Sequence, residues 1–90
     1  MNFEWEETKA ASNLEKHGVS FEEAVSVFSD RLYVDFFDPN HSDAEQCYLI
    51  IGMSEVGRLL IVSYTERDDV VRVISARELT AAERRAYEEG

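Results

Sequence analysis

The stretch Leu59–Thr65 is apolar at both odd and even positions, and no other feature constrains the fold of this chain as tightly. A half-buried strand alternates apolar with polar residues, so apolar side chains on both parities predict a central strand covered on two faces. Its neighbours also read as strands. Val70–Ser75 follows across a short turn containing Asp68-Asp69, and Cys47–Met53 precedes it, which together predict an antiparallel meander. Ahead of these, Leu32, Val34 and Phe36 share one parity before a turn and polar loop over Asp38–Glu45, where the only proline, Pro39, sits.

Upstream the hydrophobic period changes from two to 3.6. Phe21, Ala24, Val25 and Phe28 fall at i, i+3, i+4 and i+7, and Ser20 with Glu23 has capping-box spacing, so a helix is predicted there. An earlier helix is predicted over Glu7–Lys16, weakly capped at its start and closed by Gly18, with a short strand at Asn2–Trp5 before it. Thr80 and Glu83 repeat the capping box at the head of a short charged helix, with Ala82 and Tyr87 as possible core contacts. The order β-α-α-β-β-β-β-α describes an α+β fold: an antiparallel sheet with two N-terminal helices and a short C-terminal helix, in one domain over residues 1–90.

Composition narrows the function. No apolar run approaches the roughly 20 residues needed to cross a bilayer, and the acidic start lacks the basic flank of a secretory signal, so an intracellular, cytoplasmic chain is expected. Cys47 is the only cysteine, which excludes an internal disulfide and a cysteine-based zinc site. The formal net charge of -10 opposes the broad basic footprint of non-specific nucleic-acid binders. An acidic body still permits a locally basic site, and it suits a basic protein partner.

Two groups of residues have the chemistry of a phosphate site. Lys9, Asn13, Lys16 and His17 lie along one side of the first helix, and an imidazole beside a cation is what phosphodiester chemistry requires. Against this, Lys16 can be solvated, Asn13 can hydrogen-bond locally, and His17 can pack beside Leu14 at the helix end. The residues alone favour these plain roles for Lys16 and Asn13, and leave both readings open for Lys9 and His17. In the second group, a two-residue turn at Asp68-Asp69 sets Thr65 opposite Arg72 and Arg67 opposite Val70, so Arg67 and Arg72 share a face. Arg77 precedes the last helix, where backbone N–H groups favour anions. In so acidic a chain, surface pairing of Arg67 with Asp68 or Glu66, and of Arg77 with a carboxylate, is the simpler outcome. Tyr64 reads first as a core residue. His41 with Asp43 matches no metal site, and there is no glycine-rich phosphate loop, serine elbow or dinucleotide fingerprint, so neither metal nor cofactor is expected.

The residues in combination resemble a known family. Phe3-Glu4-Trp5, Lys9, Asn13, Lys16–Ala24, Val27-Phe28 and Asp30 follow the pattern of the BrnT toxins. The second half continues it in order, with Ile51-Gly52, Gly57-Arg58, Val62, Thr65–Arg67, Arg72, Ile74–Arg77, Glu83-Arg84 and Tyr87. The chain differs at Glu6-Glu7, where Asp-Pro is common, and at Cys47, where arginine is frequent. The resemblance implies a ribonuclease of a type II toxin-antitoxin pair with a RelE-like fold, acting on RNA without a cofactor. It also implies a BrnA-like antitoxin whose ribbon-helix-helix part provides the only route to DNA. On the matching positions it implies phosphate binding by Arg67 and Arg77, charge stabilisation by Lys9, and proton transfer by His17 or Tyr64. Two other readings stand beside it. The chain is then a binding module for a basic antitoxin, acting in autorepression without useful catalysis, or an acid-base enzyme on a small metabolite, for which no dense carboxylate pair is visible.

Overall fold

The structure is a computed structural model and describes residues 2–39 and 46–90. The elements run β1 (Asn2–Glu4), α1 (Glu7–His17), α2 (Phe21–Ser26), a single 3-10 turn (Val27–Ser29), β2 (Val34–Asp38), β3 (Cys47–Met53), β4 (Leu59–Arg67), β5 (Val70–Glu78) and α3 (Ala81–Glu89). Strands β2 to β5 form an antiparallel meander with the hairpin register read from the sequence, Thr65 opposite Arg72 and Arg67 opposite Val70. The wholly antiparallel sheet is corrected by β1, which lies parallel to β5 and makes the five-stranded order β1-β5-β4-β3-β2 mixed. No hairpin links these two strands, so turn geometry does not set their direction; β1 is held by its register and by Phe3, whose ring meets Phe28 at 5.1 Å.

Helices α1 and α2 cover one sheet face. There Leu60, Val62 and Tyr64 of β4, Val71, Val73 and Ala76 of β5, and Ile50 of β3 meet Val19, Phe21, Ala24 and Val27. Fully burying one such aliphatic or aromatic side chain contributes about 1.5–3 kcal/mol, so this layer holds the helices to the sheet. Val62 has no exposed surface, whereas the Asp68-Asp69 turn is exposed and Asp68 adopts a left-handed φ of 56°. The expectation that β4 is covered on both faces is met fully on the helix side and only in part on the other, where Leu59 and Thr65 are buried. Ile61 and Ser63 are partly exposed on the side away from α1 and α2.

Local signals and tertiary partners compete at the helix ends. Gly18 closes α1 at φ 68°, its N–H donating to the Leu14 carbonyl at 2.9 Å. At α2 the Ser20 hydroxyl accepts the Glu23 N–H at 3.0 Å, but the Glu23 carboxylate does not complete the box. It accepts the Ser54 hydroxyl at 2.7 Å and Arg58 Nε at 2.9 Å, while Arg58 also donates to the Gly18 carbonyl at 3.0 Å. That pair ties the α1–α2 corner to the β3–β4 hairpin, and Arg58 holds the Glu23 carboxyl below its ordinary range. Phe28 falls in the 3-10 turn beyond the shortened α2. The chain packs closely here: a Cβ on Gly52 would stand 3.0 Å from both the Asp30 carboxylate and the Val27 side chain. In α3 the box is complete, yet the helix buries no residue fully. Ala82 is exposed, which corrects its expected core contact, and Tyr87 reaches inward only enough to donate to the Leu32 carbonyl at 3.1 Å. None of the described helices is long and apolar enough to cross a membrane.

Asn13 is buried, and its bonds are long-range as well as local. Its Nδ2 donates to the carbonyls of Val19 and Ala76 at 2.9 and 2.8 Å, and its Oδ1 accepts the Ala76 N–H at 3.0 Å. A carboxamide carries a donor and an acceptor side by side, so it can continue the edge of β5 where β1 has ended. Asn13→Ala leaves an N–H and two carbonyls unmatched, and since one unsatisfied buried group costs about 1–3 kcal/mol, a loss on the order of 3 kcal/mol is expected in urea denaturation. A wild-type midpoint and slope would contradict this role.

Candidate active site

Asn13 seats α1 against the edge of β5, and the polar side of the helix then faces a groove. Lys9, Lys16 and His17 line this groove of about 200 Å³ together with Ile74 and Ser75. The pairing of β4 with β5 is irregular here: Ser63 pairs with Ser75 but Tyr64 with Val73, so Ile74 is an extra residue. A bulge of this kind bends its strand and shifts the side-chain alternation beyond it. Ile74, Ser75 and His17 are shared with a larger cleft of about 520 Å³, which spreads over the open sheet face to Ser63, Asp38 and Arg77. His17 and Arg77 therefore line one cleft, with Lys9 in the adjoining groove.

Arg77 meets the cleft with its fork already engaged. Its two terminal nitrogens donate to the two oxygens of Glu83 at 2.8 and 3.0 Å, a bidentate pair. That bond raises the Arg77 pKa and, with the Thr80 N–H, holds the Glu83 carboxyl down to about 2. Arg77 thus lines the cleft and has the carboxylate partner read from the sequence.

Arg67 lies elsewhere. With Arg72, Thr65 and Glu4 it lines a separate cleft of about 430 Å³, and Arg72 is paired with Glu4 at 2.6 Å. Ile61 pairs with Arg77, and from Ile61 to Arg67 is six residues of strand, roughly 20 Å at the rise of an extended chain. Arg67 and Arg77 cannot grip the same phosphate.

Tyr64 is on the helix-covered face. Its ring stacks on Tyr48 at 5.7 Å and meets Phe28 edge-on at 5.0 Å, and its hydroxyl donates to Asp35 at 3.4 Å. Burial, then the Asp35 carboxylate, push its pKa above the ordinary tyrosine value, so the phenol stays protonated at neutral pH. His41 and Asp43 lie outside the described residues, among which no group of three or more His, Cys, Asp or Glu is placed to hold a metal. Ser63, Ser75 and Asp38 line the cleft without having been singled out from the sequence. A serine interrupting an apolar strand is the one readable sign of the first two.

Helices on one face of a small mixed sheet, and on the other a cleft shared by an imidazole and a guanidinium, define a compact α+β protein. The chain belongs to the family described as the ribonuclease toxin, BrnT, of type II toxin-antitoxin systems, whose pattern matches residues 5–83. It is similar in fold to the Brucella abortus ribonuclease toxin, BrnT, known from a crystal structure at 1.1 Å resolution. The two share a TM-score of 0.65 and 23% identity, over 89% of this chain and 97% of that one. No curated protein sequence matches the chain.

The Glu83 pair makes a pH prediction. A folded pKa near 2, below an ordinary value of about 4.3, means that its stabilisation is fully present above about pH 4.3 and is lost as pH falls through about 2. The Thr80 amide, which donates to Glu83, should titrate in that lower range by NMR, and Glu83→Gln should abolish the step. Titration near 4.3 would mean that Arg77 does not hold this carboxylate.

Proposed function

We propose that this chain is a cytoplasmic endoribonuclease of a type II toxin-antitoxin pair that cleaves RNA without a metal ion. Its restraint is assigned to a BrnA-like ribbon-helix-helix antitoxin, through which alone it meets DNA. The supporting observation is the convergence of His17 and Arg77, distant in sequence, on one cleft with Lys9 beside it. The fold is read as RelE-like on its antiparallel meander with helices packed on one face.

RNA supplies its own nucleophile. As the ribose 2′ oxygen bonds to the adjacent phosphorus, its proton must leave, the bond to the 5′ oxygen breaks, and that oxygen takes up a proton. His17, exposed at the cleft rim, is assigned this proton transfer. Arg77 is assigned the phosphate oxygens, exchanging the Glu83 carboxylate for them, and Lys9 the developing charge. Arg67, roughly 20 Å along the strand, is assigned a flanking phosphate. Tyr64 is assigned to packing, because its hydroxyl is on the opposite face and stays protonated.

One observation favours a second reading, an antitoxin-binding module without useful catalysis: the fork of Arg77 is filled by Glu83 on a body of net charge -10. RNA cleavage by purified protein in the presence of a chelator separates the two. Cleavage is expected, falling on the order of 100-fold in His17→Ala and in Arg77→Ala and little in Tyr64→Phe. Glu83→Gln, which keeps a residue able to close the capping box, should bind RNA more tightly. RNA left intact by folded wild type and Glu83→Gln alike would support the module.

A further inference from the structure

Among the described residues the outer strand β2 is hydrogen-bonded only to β3, so one side of its backbone has no strand partner there. Edge strands are ordinarily blunted by lysine, by proline or by a bulge. β2 has no lysine, its register with β3 is unbroken from Val34 to Asp38, and Pro39 comes only after its last residue. Large apolar side chains surround this edge: Leu32, Tyr33, Val34, Phe36 and Phe37 are between 44% and 77% exposed. Val34 and Phe36 share one sheet face and Phe37 is on the other, so an added strand would meet apolar surface above and below.

Resting on the toxin-antitoxin reading, we propose that β2 is the docking edge for the antitoxin, which adds an extended segment alternating apolar residues with lysine or arginine. Charge selects this occupant. β2 carries two carboxylates and no cation, Asp35 exposed and Asp38 buried, and the whole chain is at -10. A second copy would bring the same carboxylates and the same net charge, and an RNA backbone would bring phosphates. A basic strand meets neither penalty, and strand addition gives affinity through the backbone and selectivity through alternate side chains. The Arg77 cleft reaches β2 only at Asp38, its last residue, so a partner paired along 34–37 holds the protein without needing to fill that cleft.

The test uses the full chain and the protein encoded by the adjacent reading frame. Binding is measured by calorimetry for wild type and for Phe36→Lys, whose exposed position should leave the thermal midpoint unchanged, and amide hydrogen exchange is followed over residues 34–38. At least a tenfold loss of affinity in Phe36→Lys, with slowed exchange over 34–38 in the wild-type complex, is expected. Tight binding by wild type that Phe36→Lys retains, with exchange over 34–38 unchanged, would overturn the docking edge and leave the toxin-antitoxin reading standing. No binding by wild type would remove that reading and the docking edge with it. A wild-type dimer in sedimentation that Phe36→Lys disperses would assign the edge to a second copy and overturn the proposal.

Discussion

The carboxamide of Asn13 does the work of a missing stretch of strand. β1 pairs with β5 only from Val70 to Arg72, and farther along β5 Ala76 is matched at both N–H and C=O by one side chain. The third bond, to the Val19 carbonyl, pins the segment that follows α1. His17, one helical turn beyond Asn13, owes its place over Ile74 and Ser75 to this anchor. Arg58 supports the same corner from the other side through the Gly18 carbonyl and Glu23. A buried polar group fully matched in this way fixes one arrangement, because each alternative leaves a donor or acceptor dry.

Electrostatics sets the second constraint. A chain at -10 presents phosphate with an unfavourable overall field, so any anion site must rest on local cations. Arg77 is such a cation, but in the resting arrangement Glu83 takes both arms of its fork. The same carboxylate closes the capping box of α3, so one residue joins helix start to site. α3 otherwise sits lightly on the protein, with no fully buried side chain. The proposed exchange of a carboxylate for a phosphate on Arg77 would thus act on the seating of a helix.

Where local chemistry decides, the sequence is readable. The Ser20 and Thr80 caps, the αL glycine after α1 and the Thr65–Arg72 register follow from neighbours a few residues apart, and the family pattern points to His17 and Arg77, which line one cleft. Other features depend on distant contacts. The capping-box spacing of Ser20 and Glu23 predicts a reciprocal box, but Arg58, 35 residues on, competes for the carboxylate and wins. The both-parity run in β4 suggests two covered faces, whereas Ile61 and Ser63 in fact line the cleft. The family resemblance leaves proton transfer to His17 or Tyr64, and the structure sets Tyr64 on the helix-covered face while His17 lines the cleft. The parallel docking of β1 has no local signal at all.

The proposed function requires that RNA be met at the cleft between α1 and the open sheet face. It is tested most directly by NMR, titrating the protein with an oligonucleotide whose 2′-O-methyl groups prevent cleavage. The largest shifts are expected at the His17 imidazole, the Ser63 and Ser75 amides and the Arg77 side chain, with Tyr64 nearly still. Shifts confined to the helix-covered face, or to the Arg67 and Arg72 cleft with His17 and Arg77 unmoved, would contradict it.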